Sequence, residues 1–141
     1  FYPAGCVEIE SIHNAFLKVY KKTTPYLINL KKISDEKKLH TKNILVEPFP
    51  VIHKEYLHDR ITIKPVPSLG YKFTSDGIKI CYGGDTAFCK TLVEMAKDAD
   101  LAIIEAGHDD ETPDEMHMSK SEAISIGQTA KEYYLVHVPE K

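Results

Sequence analysis

The chain has 141 residues, of which 43% are hydrophobic and 28% are charged, a composition typical of one globular domain with its own core. No apolar run approaches the roughly 20 residues that a membrane-spanning helix requires, so no membrane partner is expected. The net charge of −3 conceals an asymmetry: residues 1–64 carry 11 basic against 7 acidic residues, and residues 65–141 carry 7 against 14. A basic half can favour phosphate-bearing partners, although paired lysines are more often a solvated helix face.

The cysteines are too few and too irregularly spaced for a disulfide framework. Cys6, Cys81 and Cys89 form neither an even set nor a C-x-x-C pair, which favours a reducing cytoplasm and thiols that pack as small apolar side chains. The sequence begins at Phe1, without methionine and without the pattern of a signal peptide, so we expect it to be a fragment of a longer protein.

The first third of the sequence predicts one clear helix and one poorly patterned segment. Over residues 8–22, apolar side chains recur every three or four positions, which predicts an amphipathic helix with a lysine-rich opposite face. Residues 23–42 are a candidate loop or extension of a single domain that spans 1–141. Within them, weak patterns indicate a short strand at 26–30 and a surface turn at 34–38.

The middle of the sequence predicts a series of strands. Residues 43–53 have the composition of a strand, but their two prolines place it at a sheet edge or divide it into two pieces. Apolar runs at 61–63 and 69–73 predict further strands. An Asp-Gly turn joins the second of these to 78–82, which is a strong hairpin signal.

Strands and helices alternate over residues 78–138, which is the pattern of a layered α/β domain. A helix is predicted over 88–97, with Asp85 or Thr86 near its start. Ser119 and Glu122 have the spacing of a capping box. The remaining predicted elements are a helix over 123–131 and strands over 101–104 and 133–136.

Carboxylates and imidazoles stand where the apolar runs end. Asp85, Glu105 and His137 each follow a predicted strand, His53 closes an earlier apolar run, and His117 follows an acidic loop. A metal hydrolase needs such side chains at fixed geometry, with an open position for water. For any single histidine a hydrogen-bonded structural role is more common, so the prediction depends on the whole set. His13, His40 and His58 have polar or helical neighbours and receive the structural interpretation, and His108 stays open.

These motifs resemble the metallo-β-lactamase superfamily and, within it, the ribonuclease Z-like hydrolases. Gly-Asp-Thr alone is a weak signal, whereas several motifs in the right order are specific. A histidine upstream of a Ser-Leu-Gly-Tyr strand belongs to the same order, and His53 fits that place better than its rival His58. The other motifs are Gly84-Asp85-Thr86, Glu105-Ala106, His117-Met118-Ser119, Glu122-Ala123 and His137.

The resemblance implies an α/β fold, the later portion of a four-layer αβ/βα sandwich in which a mixed sheet carries helices on its outer face. It also implies a metal-dependent hydrolase in which two Zn²⁺ ions share a hydroxide. Asp85 would bridge the two ions, while His53 and His137 would bind one ion each. His117 would stabilise charge or protonate the leaving oxygen, with Glu105 hydrogen-bonded behind it.

The family's His-x-His-x-Asp-His cluster, which supplies most of the metal ligands, does not occur in this sequence. Its place would precede Phe1, so we expect the chain alone to bind zinc weakly or not at all and to be inactive. We also expect an uncovered sheet face with Ile80, Ile103 and Leu135, and therefore a homo-oligomer or a poorly soluble fragment.

Within the family, the leading implied function is a phosphodiesterase or endoribonuclease that acts on RNA, particularly precursor tRNA. Residues 18–42, rich in lysine, would contact its phosphates. Hydrolysis of a small phosphodiester or another ester is the alternative within the superfamily. A metal-free, non-catalytic binding module is the alternative from a different class.

Overall fold

A computed structural model describes residues 1–20, 23, 25–35, 37–110 and 115–139 of the chain. Six strands form the main sheet in the order β10-β9-β8-β7-β4-β3, while β1 pairs with β2 and β5 pairs with β6 in two small sheets. In chain order the elements are β1 (Tyr2–Pro3), α1 (Val7–Tyr20), β2 (Lys32–Ile33), β3 (Leu39–Thr41), β4 (Ile44–Pro50), β5 (His53–Tyr56), β6 (Ile63–Val66), β7 (Leu69–Ser75), β8 (Ile78–Tyr82), α2 (Lys90–Ala96), β9 (Leu101–Glu105), α3 (Lys120–Gly127) and β10 (Glu132–Val136).

The main sheet is mixed, as the sequence predicts. Strand β9 pairs parallel with both β8 and β10. The pairs β3–β4, β4–β7 and β7–β8 are antiparallel. Since β4 and β8 are both antiparallel to β7, they run in the same direction. Strands β4, β8, β9 and β10 therefore all end at one edge of the sheet, here called the C-terminal edge.

One face of the sheet carries the core, under α2 and α3. Cys81, Ala102 and Ile104 point from the strands towards Leu92 of α2 and Ile126 of α3, and all five are buried. Burying a large aliphatic side chain stabilises the fold by about 1.5–3 kcal/mol. Burial also raises the pKa of the Cys81 thiol to about 11, so this thiol stays protonated at neutral pH and packs as an apolar group.

The opposite face of the sheet is more open. Ile80 and Ile103 lie on this face, as expected, and both are partly exposed. The expectation for Leu135 is wrong: it pairs with Ile104 and packs against the core. Because side chains alternate along a strand, Tyr134 takes the open face of β10 instead and is largely exposed.

The predicted first helix is confirmed as α1, although positions 21 and 22 lie outside the described residues. None of its side chains is buried, and Ile12 and Val19 are 69% and 71% exposed. No α1 side chain belongs to the buried core, although Ile9 and Phe16 of the same stripe are partly buried. The strand suggested at 26–30 is wrong. Strand β1 pairs instead with β2, a few residues further on, which shows how poorly a short apolar run fixes its own partner.

Backbone constraints explain the shapes of the middle strands. The proline-containing run is divided into β4 and β5, and β3 pairs only with Ile44–Val46, so Pro48 and Pro50 have β7 as their partner. Strand β6 begins at Ile63, later than predicted, because the Asp59 carboxylate accepts bonds from the backbone N–H groups of Ile61 and Thr62 in the preceding turn.

Two of the predicted signals at turns and helix ends are confirmed, and one is wrong. Asp76-Gly77 forms the hairpin between β7 and β8, and Ser119 caps α3 in a capping box with Glu122. Helix α2, however, begins after Cys89, and no side chain caps it. Neither Asp85 nor Thr86 is its cap. Among the described helices, none combines the length and apolar character needed to cross a membrane.

Candidate metal centre

Asp85 projects from the C-terminal edge directly after β8. Gly84, the residue before it, has φ of 66°, a left-handed conformation that glycine adopts without a Cβ penalty. The Asp85 side chain is 53% exposed, and its Oδ1 lies 3.4 Å from Nδ1 of His137. The turn thus presents a carboxylate to solvent and to an imidazole, with no role in capping a helix.

His137 is held at the same edge by an unusual backbone conformation. It follows β10 with φ of 55°, which is uncommon for a non-glycine residue and tends to occur at functional sites. Just before it, the carbonyl of Val136 accepts a 2.9 Å hydrogen bond from the N–H of Ala106. This bond extends the pairing of β9 with β10 and fixes the point from which His137 projects.

Glu105 is fully buried at the end of β9, and four donors surround its carboxylate. Its Oε1 accepts from the backbone N–H of Thr86 at 3.0 Å and of Met118 at 3.3 Å, and Oε2 accepts from the N–H of Gly107. The fourth contact is Nδ1 of His117, 3.0 Å from Oε1. A buried carboxylate with this many donors can hold an imidazole in one orientation.

His117 therefore has a defined orientation. When its Nδ1–H donates to Glu105, the lone pair of Nε2 is available on the other side of the ring. The His117 and His137 rings meet edge to face, with centroids 4.9 Å apart. The structure thus brings Glu105 and His117 together and turns His117 towards the residues at the C-terminal edge.

Asp85, His117 and His137 offer ligand atoms that all lie within 4.8 Å of one another. Two imidazoles and a carboxylate are the nitrogen and oxygen ligands that Zn²⁺ accepts. Asp85 and His137 are exposed, so an ion can reach them. The chemical types of these three side chains and the spacing of their ligand atoms fit a zinc ion.

His53 lies beside the trio without belonging to it. Its ring centroid is 6.1 Å from that of His117, and its Nδ1 is buried without a hydrogen-bond partner among the described residues. Such an unsatisfied nitrogen calls for an explanation, and Nε2 of His13, on α1, shares this property among the described residues. His58 lies in the turn beyond β5, where it lines a separate cavity with Tyr56 and Arg60. Of the two rivals, His53 is the one near the trio.

The other histidines have separate surroundings. The backbone of His108 donates to the carbonyl of Met118 at 3.3 Å and aligns the loop with the start of α3. His40 is exposed on β3, at the far side of the sheet from β10. His13 lies on α1 and lines a cavity with Tyr2 and Glu10.

Gly107 is a site residue whose role the sequence did not reveal. A Cβ atom at this position would lie 2.8 Å from both Oε2 of Glu105 and Cγ of His117, closer than real Cβ contacts. The only sequence signal was that two small residues follow Glu105. Any side chain at position 107 must displace the Glu105–His117 pair.

We therefore expect Gly107→Ala to reduce turnover about tenfold or more in the full-length protein, the size typical when a group that orients a site residue is disturbed. Gly77→Ala is the matched control, because Gly77 has φ of 81° in the remote β7–β8 turn with nothing near its Cβ position. It should lower the melting temperature and leave turnover per folded molecule unchanged. Equal loss of turnover in both variants would assign the effect to stability alone.

Residues 9–138 match the model of a family described as the beta-lactamase superfamily domain. An uncharacterized protein of Mycobacterium tuberculosis is 34% identical over 85 residues, 57% of this chain and 31% of that protein. Ribonuclease Z of Methanothermobacter thermautotrophicus is 34% identical over 68 residues, 44% of this chain and 22% of that enzyme. Zinc phosphodiesterase ELAC protein 2 of Homo sapiens is 44% identical over 57 residues, 38% of this chain and 7% of that protein.

Solved structures share the fold. YhfI of Bacillus subtilis, a metallo-beta-lactamase fold protein, superposes with a TM-score of 0.65 at 22% identity and covers 91% of this chain and 51% of its own. Human tRNase Z, short form, gives a TM-score of 0.56 at 25% identity over 76% of this chain and 42% of its own. The chain thus spans about half of YhfI and under a third of these curated relatives. Since the family match extends over nearly the whole chain, this chain belongs to the beta-lactamase superfamily domain family, a family of hydrolases with the metallo-β-lactamase fold.

Proposed function

We propose that this chain carries part of the catalytic centre of a zinc-dependent phosphodiesterase of the ribonuclease Z type. The observation that carries the proposal is the convergence of Asp85, His117 and His137 within 4.8 Å, with Glu105 buried behind His117. The similarity to a ribonuclease Z and to a zinc phosphodiesterase supports the same reaction class. The cysteine pattern accords with a cytoplasmic setting, which is part of the same proposal.

Asp85 and His137 would hold zinc, and His53 would complete the set of ligands from this chain. A dinuclear centre, to which Asp85 would contribute its carboxylate, belongs to the proposal. When bound, zinc supplies a water molecule of lowered pKa as the nucleophile and polarises a phosphoryl oxygen. The exposure of Asp85 and His137 supports this assignment, because both side chains can meet ligands and substrate from outside the sheet.

In this proposal His117 acts as the general acid. Its Nε2 would carry the proton that passes to the leaving oxygen, while Nδ1–H donates to Glu105 throughout. Glu105 cannot turn away, because three backbone N–H groups also hold its carboxylate. Its negative charge lies against the ring that becomes positive when it holds a second proton. Such acid catalysis contributes about 10²–10⁴-fold to a rate.

The lysine-rich residues 18–42 support RNA, in particular precursor tRNA, as the substrate, because lysine side chains bind phosphate oxygens without reading the base sequence. Lys32 is paired with Glu10 at 2.8 Å, and Lys38 is paired with Glu47. The expected phosphate contacts are therefore better assigned to other lysines of the segment, and Lys31 and Lys37 are both exposed.

Charge reversal of Lys31 and Lys37 is expected to weaken cleavage of precursor tRNA by the full-length protein. Loss of phosphate contacts should raise KM and reduce its dependence on salt, while kcat stays nearly constant. Lys97→Glu is the control, since Lys97 is exposed at the end of α2, away from the C-terminal edge.

Two results with the wild type would change the assignment. Cleavage of a small diester without cleavage of precursor tRNA would shift it to a small-molecule phosphodiesterase. Absence of zinc after zinc-replete expression would favour a non-catalytic binding module.

The 141-residue chain by itself is expected to bind zinc weakly and to show no hydrolase activity. His53, Asp85 and His137 are three assigned ligands for two ions, whereas catalytic zinc takes about three protein groups per ion. The open sheet face around Ile80 and Ile103 should also promote self-association. Native mass spectrometry and size-exclusion chromatography test both expectations. An active, zinc-loaded monomer near 16 kDa would contradict them.

A further inference from the structure

We propose that Thr86 is a positioning residue that connects the three segments carrying Asp85, His53 and His117, so that these side chains are aligned before a metal or substrate binds. The connection is a property of the fold. Its consequence for zinc and turnover rests on the proposed function, whereas its consequence for the two imidazoles does not. Thr86 therefore has a role beyond following Asp85 in the chain.

Thr86 is fully buried, and its polar atoms reach two other segments. Its backbone N–H donates to Oε1 of Glu105 at 3.0 Å. Its Oγ1 accepts from the N–H of Ile52 at 3.0 Å, and lies 3.1 Å from the carbonyl oxygen of Ile52 and 2.8 Å from that of Ala87. The hydroxyl has one proton, which it can donate to either carbonyl oxygen, while a lone pair of Oγ1 accepts from the N–H of Ile52.

The neighbours of Thr86 are the residues that carry the site. Asp85 precedes it in the chain, Ile52 precedes His53, and Glu105 holds His117. A displacement of Thr86 would therefore move all three.

Hydrogen bonds, more than burial of its side chain, hold the backbone at Ile52. Strand β4 ends at Pro50 and β5 begins at His53, which leaves Ile52 with an isolated bridge to Ala87. Its side chain is 45% exposed, so little apolar burial holds it. At Ile52 itself the backbone bonds are those to the Thr86 hydroxyl and the 2.8 Å bond from the N–H of Ala87 to the Ile52 carbonyl. Just before it, the N–H of Val51 donates to the carbonyl of Ser68 at 3.3 Å, and the Thr91 hydroxyl donates to the carbonyl of Pro50.

A simpler interpretation would make Thr86 a helix cap or an ordinary satisfied hydroxyl. Helix α2 is capped at Cys89, with no side-chain bond, so the first alternative fails. The second predicts that loss of the hydroxyl lowers stability and leaves the histidines and zinc affinity as they were. A positioning role predicts coupled changes at His53 and His117, even though neither imidazole contacts the hydroxyl.

The test compares Thr86→Val, which removes the hydroxyl at nearly constant shape, with Thr86→Ser, which keeps it. In the full-length protein without metal, Thr86→Val should shift the NMR resonances of the His53 and His117 imidazoles together and speed hydrogen exchange at the Ile52 amide. Thr86→Ser should leave these signals near wild type. If Thr86→Val does not fold, Thr86→Ala takes its place, since the smaller side chain avoids placing a methyl group against the Ile52 N–H.

The second readout is zinc affinity, measured by competition with a chelator. Thr86→Val should weaken it at least tenfold, in the range found for groups that orient metal ligands, and Thr86→Ser should stay within about threefold of wild type. Thr129→Val is the control, because its hydroxyl donates to the carbonyl of Ile126 at 2.8 Å, just past the end of α3 and away from the segment that carries His53. Loss of stability in Thr86→Val with unchanged imidazole resonances would overturn the proposal. If wild type binds no zinc but the imidazoles still shift together, the proposed function fails and the positioning role stands.

Discussion

Asp85→Asn is expected to remove most of the zinc from the full-length protein and to abolish turnover, while the fold survives. A carboxylate between two cations compensates their charge, and an amide of the same shape cannot. The side chain is half exposed, and among the described residues its polar contact is the 3.4 Å approach to His137, so we expect the fold to tolerate the change. Zinc content measured by plasma mass spectrometry, together with turnover, checks the prediction.

The control for this variant is Asp76→Asn, in the turn between β7 and β8. Asp76 has φ of 50°, a conformation that asparagine tolerates well, so zinc content and turnover should be unchanged. A helix cap at position 85 would instead have cost about 1 kcal/mol of stability on substitution, without an effect on metal. Since the N-cap residue of α2 is Cys89, we expect Asp85→Asn to have a melting temperature close to that of the wild type. Full zinc content in Asp85→Asn would remove its bridging role.

The sequence was sufficient for the arrangement of the site because strand direction has a simple consequence. Alternating strands and helices after residue 78 predict parallel strands, and parallel strands end at one edge of a sheet. Asp85, Glu105 and His137 stand at the ends of three such strands, so their position at one edge could be predicted from the sequence. The capping box at Ser119 added the start of α3, and with it the placement of His117.

Other features depend on contacts that no local pattern encodes. The hydroxyl of Thr86 binds Ile52, which lies 34 positions earlier in the chain, and a threonine after a glycine turn is equally compatible with a helix cap. Whether Leu135 is buried depends on which alternate residues of β10 face α3, and a continuous run of apolar residues does not indicate this. Helix α1 is a further example. Its apolar periodicity predicts the helix, but it does not predict whether the core covers the apolar side chains.

The geometry is compatible with a second role for His117, that of a metal ligand. It belongs to the group of three residues whose ligand atoms converge, whereas His53 lies to one side. An imidazole fixed by a buried carboxylate can be either a metal ligand or a general acid, because both uses need a defined tautomer and orientation. The bond to Glu105 is thus required in both cases, and only substitution separates them.

Replacing His117 with alanine should lower kcat about 100-fold or more, as expected for loss of a general acid, while zinc content and KM stay near wild type. Glu105→Gln should lower kcat less and should also destabilise the fold by about 1–3 kcal/mol, because an amide NH₂ replaces one oxygen that accepts from backbone N–H groups. Since the two residues act as one unit, the double variant should be no slower than His117→Ala. Zinc content decides between the roles: if His117→Ala loses zinc, His117 is a ligand. Multiplicative losses in the double variant would instead show that Glu105 acts independently of the imidazole.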